Sequence, residues 1–479
     1  MKDKVITINP LSRVEGHAKV IISLDEEKEV KEAKFCVTSL RGFEKFCEGH
    51  TFWEMPIITS RICGICPVSH LLASAKTGDA ILGVEIPPTA KMLRELMHMG
   101  QFIHSHSLHF FFLACPDLFL GMDFEPAKRN FVGLLAEKPD IVKVGVKMRA
   151  FGQEIIATVG GGRKVHPIIA IPGGMTAPLL PQDRDKLLNK VDGVISDVES
   201  VLGLLKDFYA KEDWVKRFAN FPSGYLGLVA NEGDLELYDG KLRLKGKEGE
   251  LLEEKVDPSQ YLSIIEERVE DFSYLKSPYY KKVGYPAGMY RVGPLGRLNV
   301  ADRISTPLAN KELSAFRKMG ENGVVQGTMY YHFARLTEVL YAAEKAKMLL
   351  QNDDICGKEI RTIPERLYLN EEGVGVIEAP RGTLFHHYWV DKLGTIRKVN
   401  LIVATGNNNL AMNRAAYEVA KEYIKDGKFT EGALNRVEAA IRCFDPCISC
   451  SVHAMGWKYP LIFQLVSPQG EIIEEVKDV

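Results

Sequence analysis

Apolar and polar residues alternate with a period of two over residues 5–8, 17–24 and 30–39. This predicts three short strands, the last two joined by an acidic turn at residues 25–28. The period then lengthens. Residues 42–49 read as a short helix, and residues 66–83 as a longer one with Pro67 in its first turn, where a missing N–H costs nothing. Pro87 and Pro88 break the chain. After them, residues 89–114 are helical in pattern and apolar on most faces, the signature of a central buried helix. Residues 186–209, 328–352 and 413–442 carry further helical patterns, and residues 374–403 read as strands. Within residues 234–255 the stretch LELYDGKLRLKG sets Asp239 and Gly240 between alternating residues, which predicts a small β-hairpin inserted at the surface.

The fold class that follows is mainly α with small β elements, an α+β chain around a central helix bundle. A length of 479 residues allows two to four domains, but no repeat, low-complexity linker or shift of composition marks a boundary. One large domain is therefore expected, and a hydrophobic content of 46% is enough to fill its core. The formal net charge of −2 gives no long-range attraction to nucleic acid or anionic lipid. The most apolar stretch, residues 108–122, is interrupted by His109, Cys115, Pro116 and Asp117 and falls short of a membrane span. The opening residues, MKDKVITINPLSRVEGH, contain no signal-peptide core, so a soluble cytoplasmic protein is expected.

Nine cysteines, an odd number, argue against a disulfide framework in such a chain. Cys36, Cys47, Cys115, Cys356 and Cys443 are scattered singly and read as buried small hydrophobes. The other four form two C-x-x-C pairs at opposite ends of the chain, Cys63/Cys66 in RICGICPVSH and Cys447/Cys450 in DPCISCSVH. A C-x-x-C turn lets two thiolates grip one metal, and a position at a helix N-terminus favours the thiolate of Cys66. Soft thiolates suit zinc, iron and nickel alike. Zinc knots usually bring their pairs close in sequence. The wide spacing here weakens that reading without excluding it, and leaves a zinc, an iron–sulfur or redox, or another metal site open. If the pairs meet, the whole chain closes on itself as one unit.

With their flanking residues the two motifs resemble the signature of [NiFe]-hydrogenase large subunits. Arg13-Val14-Glu15-Gly16-His17, Arg41-Gly42-Phe43-Glu44 and Glu378-Ala379-Pro380-Arg381-Gly382 match further blocks of that family in the same order. Stretches such as EKFCEGHTFWEMP and RGTLFHHY look most like its soluble, NAD-linked bidirectional branch. The resemblance implies a Ni–Fe centre with CO and cyanide ligands, held by Cys63, Cys66, Cys447 and Cys450. Cys66 and Cys450 would bridge to iron, and Cys63 and Cys447 would be terminal. It further implies a magnesium site at Glu44, the Leu401 carbonyl and His453, and a proton relay at Glu15. Arg381 and Thr405 would stand near the diatomic ligands, and His70 would bond a bridging sulfur. Ser105 stands where many membrane-bound relatives carry Asp, so no carboxylate mechanism is available there. Taken singly, Glu15 reads as a strand-end carboxylate, Glu44 as an exposed helix residue and Arg381 as a salt-bridge arginine; only the ordered blocks give them roles. His104, His106 and His109 read as packed core histidines, because residues 104 and 106 fall on different helix faces.

The activity implied is H2 ⇌ 2H⁺ + 2e⁻. Heterolytic cleavage needs a base beside the metal. Neutralising a guanidinium at pH 7 costs roughly 7–8 kcal/mol, so the Cys447 thiolate is a better proton acceptor than Arg381. Electrons have no route through this chain. The single cysteines lack cluster spacing, and Gly373-Val374-Gly375 lacks the third glycine of a dinucleotide fingerprint. Iron–sulfur clusters, FMN and NAD(P) would sit on partners: flavin- or NAD(P)-binding diaphorase-type subunits, or a bifurcating flavin module, together with an iron–sulfur small subunit. The resemblance also divides the chain into a domain over residues 1–453 and an extension, residues 454–479, removed by a maturation protease. A non-catalytic scaffold related to the complex I quinone-site subunit would lack the four cysteines; a four-cysteine zinc protein would keep them.

Overall fold

The computed structural model describes residues 5–366, 368–452, 461–466 and 472–478. Three strands, Val5–Ile8, Ala18–Leu24 and Val30–Val37, form the expected antiparallel sheet. Alternate residues of Ala18–Leu24 are buried, as the period of two requires. The helices Phe43–Cys47 and Pro67–Leu82 lie inside the stretches anticipated for them, the second ended by Gly83 in the left-handed conformation.

Four long helices make the bundle. Pro88–Ser107 packs against Pro139–Val159 and Tyr331–Gln351, and Pro181–Lys211 packs against the last two. Pro88–Ser107 and Pro139–Val159 approach so closely at Gly152 that a Cβ there would meet His104 N at 2.5 Å and Gly100 O at 2.7 Å. The central helix does not stay α-helical to residue 114. It widens to π-helix over Leu108–Ala114. Apolar residues line nearly every face in this stretch, so periodicity could not separate the two windings.

A three-stranded antiparallel meander, Glu372–Ala379, Gly382–Val390 and Ile396–Ile402, packs on the Pro67–Leu82 helix. The segment at residues 234–255 is not the surface hairpin that its Asp-Gly pair predicts. Lys241–Lys245 is an inner strand of a four-stranded sheet, between Gly224–Val229 and Leu251–Val256. Leu235, Leu237, Leu242 and Leu244 are all buried. Alternation reported correctly that one face is covered, but could not say that the partner strand lies before Asp239 rather than across it. The region 413–442 divides into two helices, Asn409–Tyr423 and Glu431–Cys443. Beyond them, Leu461–Val466 and Ile472–Asp478 pair antiparallel. No helix among the described residues is long and apolar enough to cross a membrane.

Candidate metal centre

The two cysteine motifs meet. Cys63 is in the turn before the Pro67–Leu82 helix, and Cys66 is that helix's N-cap. Cys447 and Cys450 lie in the turn that follows Glu431–Cys443, where Asp445 takes a positive φ of 54°, a conformation Asp tolerates better than most residues. Sγ of Cys63 is 3.4 Å from that of Cys447, Cys66 is 3.5 Å from Cys450, and Cys447 is 2.9 Å from Cys450. All four sulfurs lie within 4.8 Å of one another and all four residues are buried.

The sequence blocks around them hold this arrangement. Arg41 donates to the carbonyls of Ile62 and Ser449, so one side chain clamps both cysteine turns. Gln101, from the central helix, donates to Ile65 O at 2.9 Å. Cys447 N–H donates to Thr405 Oγ1 at 3.0 Å. Glu15 meets the second turn twice: its carbonyl accepts from Ile448 N at 3.2 Å, and its carboxylate from Ser449 N at 3.0 Å. Gly16 permits that approach, since it sits at φ +88° and a Cβ would lie 2.7 Å from Ile448 Cβ.

Arg381 is buried between Asp445, 3.0 Å from its Nη2, and Ser105 Oγ, 3.2 Å from its Nη1. Burial by itself would lower its pKa, but attraction to Asp445 and to the nearby cysteines outweighs it and holds the guanidinium cationic. Ser105 meets Arg381 as an alcohol, which leaves Asp445 as the carboxylate bonded to that guanidinium. Asp445 was legible as part of the DPC motif, yet its pairing with Arg381 depends on a contact no local pattern encodes. A small cavity of about 10 Å³ lies beside Cys66, Cys447 and Cys450, lined also by His70, Pro380, Arg381, Leu384, Val403 and Thr405.

His70 bonds through Nδ1 to His386 Nε2 at 3.1 Å, a residue to which the sequence pattern gave no role. Glu44 accepts from the N–H of Leu401 at 2.8 Å. Burial raises its pKa to about 7, against the opposing pull of Lys276. His453 lies outside the described residues. His106 and His109 are buried as expected of core histidines, bonded to Glu338 and to the Arg442 carbonyl. Cys36, Cys47, Cys115 and Cys443 are buried too, while Cys356 is half-buried.

The donor set fits a soft metal centre. Hydrogen bonds from Cys447, Cys450 and Cys66 hold the Cys63 thiol well below the usual range; bonds to Cys450, Cys63 and Cys66 hold Cys447 above it, and burial holds Cys450 above it. Four thiols this close cannot all ionise unless a cation displaces their protons.

Comparison with known proteins settles the family. Residues 41–124 and 230–453 match the family described as nickel-dependent hydrogenase, and residues 5–40 match one described as HoxL-like. The chain belongs to the nickel-dependent hydrogenases. It is 41% identical to the NAD-reducing hydrogenase HoxS subunit beta of Cupriavidus necator, over 98% of this chain and 99% of that one. It is 46% identical to a chain of the F420-non-reducing hydrogenase vhu of Methanocaldococcus jannaschii, over 88% of this chain and 99% of that one. A crystal structure of an NAD+-reducing [NiFe]-hydrogenase in the H2-reduced state superposes with a TM-score of 0.91 at 43% identity, covering 94% of this chain and 99% of that one. The hydrogenase chain is thus a catalytic large subunit, and its family brings a nickel–iron active site.

Proposed function

We propose that Cys63, Cys66, Cys447 and Cys450 hold the nickel–iron centre, with Cys66 and Cys450 shared with the iron. The observation that carries this is the set of four buried sulfurs within 4.8 Å, drawn from both ends of the chain. The iron would lie on the side of Cys66 and Cys450, where Arg381 and Thr405 line the small cavity and would be the polar neighbours of its CO and cyanide. When bound, the centre supplies the Lewis acidity that polarises H2. Arg381 stays cationic and orients; Cys447 Sγ takes the proton. Glu15, half-buried and bonded to the Cys447–Cys450 turn, passes it outward. Glu44 and the Leu401 carbonyl, together with His453, would hold magnesium. A buried carboxylate with a raised pKa is a group that a cation would ionise.

The electrons leave through an iron–sulfur small subunit to flavin- and NAD(P)-binding subunits, as the name of the Cupriavidus relative suggests, in the cytoplasm where NAD(P) is found. A maturation protease removes the residues after His453. Metal analysis with infrared spectroscopy of the purified complex tests the centre. Nickel and iron with CO and cyanide stretches are expected, whereas zinc alone or no metal would overturn the assignment. Reduction of NAD or NADP by H2 in the same preparation tests the acceptor, and the intact mass of this chain in active enzyme tests the cleavage.

A further inference from the structure

His70 lines the cavity beside Cys66 and Cys450. Its Nδ1 is 3.1 Å from His386 Nε2, and His386 Nδ1 is 2.5 Å from the Tyr388 hydroxyl. All three side chains are buried. Residues 386 and 388 share one face of the Gly382–Val390 strand, because strand side chains repeat every two residues, and that face meets the Pro67–Leu82 helix that carries His70. A neutral imidazole has one N–H and one lone pair, so such a chain runs in one sense or the other, and its far end sets what His70 presents to the cavity.

We propose that Tyr388 and His386 are positioning residues that fix the tautomer of His70, placing its proton on Nε2 so that an N–H donor faces the cavity sulfurs. Burial holds Tyr388 well above the usual tyrosine range, so the phenol keeps its proton. Ser74 and Thr59 also bond the Tyr388 hydroxyl; with Ser74 donating to its oxygen, the protonated phenol donates its O–H to Nδ1 of His386. His386 then carries its proton on Nε2 and donates to Nδ1 of His70. The proton of His70 is left on Nε2, the ring nitrogen not engaged by His386. The opposite sense would turn a lone pair toward sulfurs that must become thiolates, and an N–H donor stabilises a thiolate where a lone pair does not. That those sulfurs are ligands rests on the assignment proposed above; the tautomer does not.

The test is a full chain labelled with 15N-histidine and prepared without nickel. Two-bond 1H–15N spectra report which ring nitrogen is protonated, and His70→Gln identifies the His70 signal by its loss. The wild type is expected to carry the proton of both His70 and His386 on Nε2. Tyr388→Phe, checked for folding by its thermal midpoint, is expected to give a mixture of tautomers at both. His386→Gln, whose amide can still donate to Nδ1, is expected to keep His70 protonated on Nε2. A wild-type His70 protonated on Nδ1, or a His70 pattern unchanged by Tyr388→Phe, overturns the proposal. In the metal-loaded complex, Tyr388→Phe is expected to move the CO and cyanide stretches at unchanged nickel content. Wild-type protein without such bands counts against the cofactor assignment, and the nitrogen spectra still decide the tautomer.

Discussion

Arg297→Lys keeps a cation in place and removes a geometry. Arg297 is buried, and each of its five N–H groups is committed. Nε and Nη2 grip Glu338 at 2.6 Å each, Nη1 meets Glu378 at 2.8 Å, and the remaining two donate to Ala379 O at 2.8 Å and Pro380 O at 3.0 Å. Lysine offers three donors, so two acceptors lose their partner. An unsatisfied buried acceptor costs about 1–3 kcal/mol, which puts the loss at about 2–6 kcal/mol, a large share of a typical folding stability. The two carbonyls also precede Arg381 in sequence, so their release loosens the guanidinium beside the cysteines. A displacement near 1 Å in a reacting site can cost on the order of 10²-fold in rate. Urea unfolding of the full chain and H2 oxidation per bound nickel are the measurements. Both are expected to fall. A lower urea midpoint with a wild-type rate per nickel would separate folding from the placement of Arg381, and wild-type values in both would refute the role of the network altogether.

Burial lowers His98 to about 3 and His104 and His106 to about 4, against about 6.5 in an unfolded chain. Between those values the unfolded state binds protons that the folded state does not, so stability falls as pH drops below about 6.5, by about 1.4 kcal/mol per pH unit for each histidine. His98→Gln is expected to flatten the acid slope of the urea midpoint by one such increment; an unchanged slope would contradict a neutral buried His98. Gly152→Ala puts a methyl against two backbone groups of the neighbouring helix, and a loss of about 1–3 kcal/mol in unfolding free energy is expected. A stability within 0.5 kcal/mol of wild type, roughly the scatter of surface substitutions, would argue against that close crossing. Glu15→Gln is expected to slow H2/D2 exchange and acceptor reduction by about 10²-fold. If both proceed at wild-type rate, the relay lies elsewhere.

Much of this molecule is legible in the order of its residues. A C-x-x-C turn is a local object, so both cysteine pairs are visible as such, and so are Arg13, Glu15, Arg41, Glu44 and Arg381 as members of ordered blocks. Periodicity likewise located the first three strands, the meander over residues 372–402 and most of the bundle, because burial on one face imprints itself on neighbouring residues. What faces that buried side is a different kind of information. Whether Lys241–Lys245 pairs across Asp239 and Gly240 or with Gly224–Val229 depends on packing over long separations, and the same alternation satisfies either. The contacts of Arg381 with Ser105 and Asp445, of Arg41 with both cysteine turns, and of His70 with His386 join residues brought together only by the closed core. The order of residues therefore shows which side chains could grip a soft metal. Tertiary structure alone decided that the four sulfurs come within 4.8 Å and which buried charges and hydrogen bonds surround them, since those depend on distances that no spacing along the chain specifies.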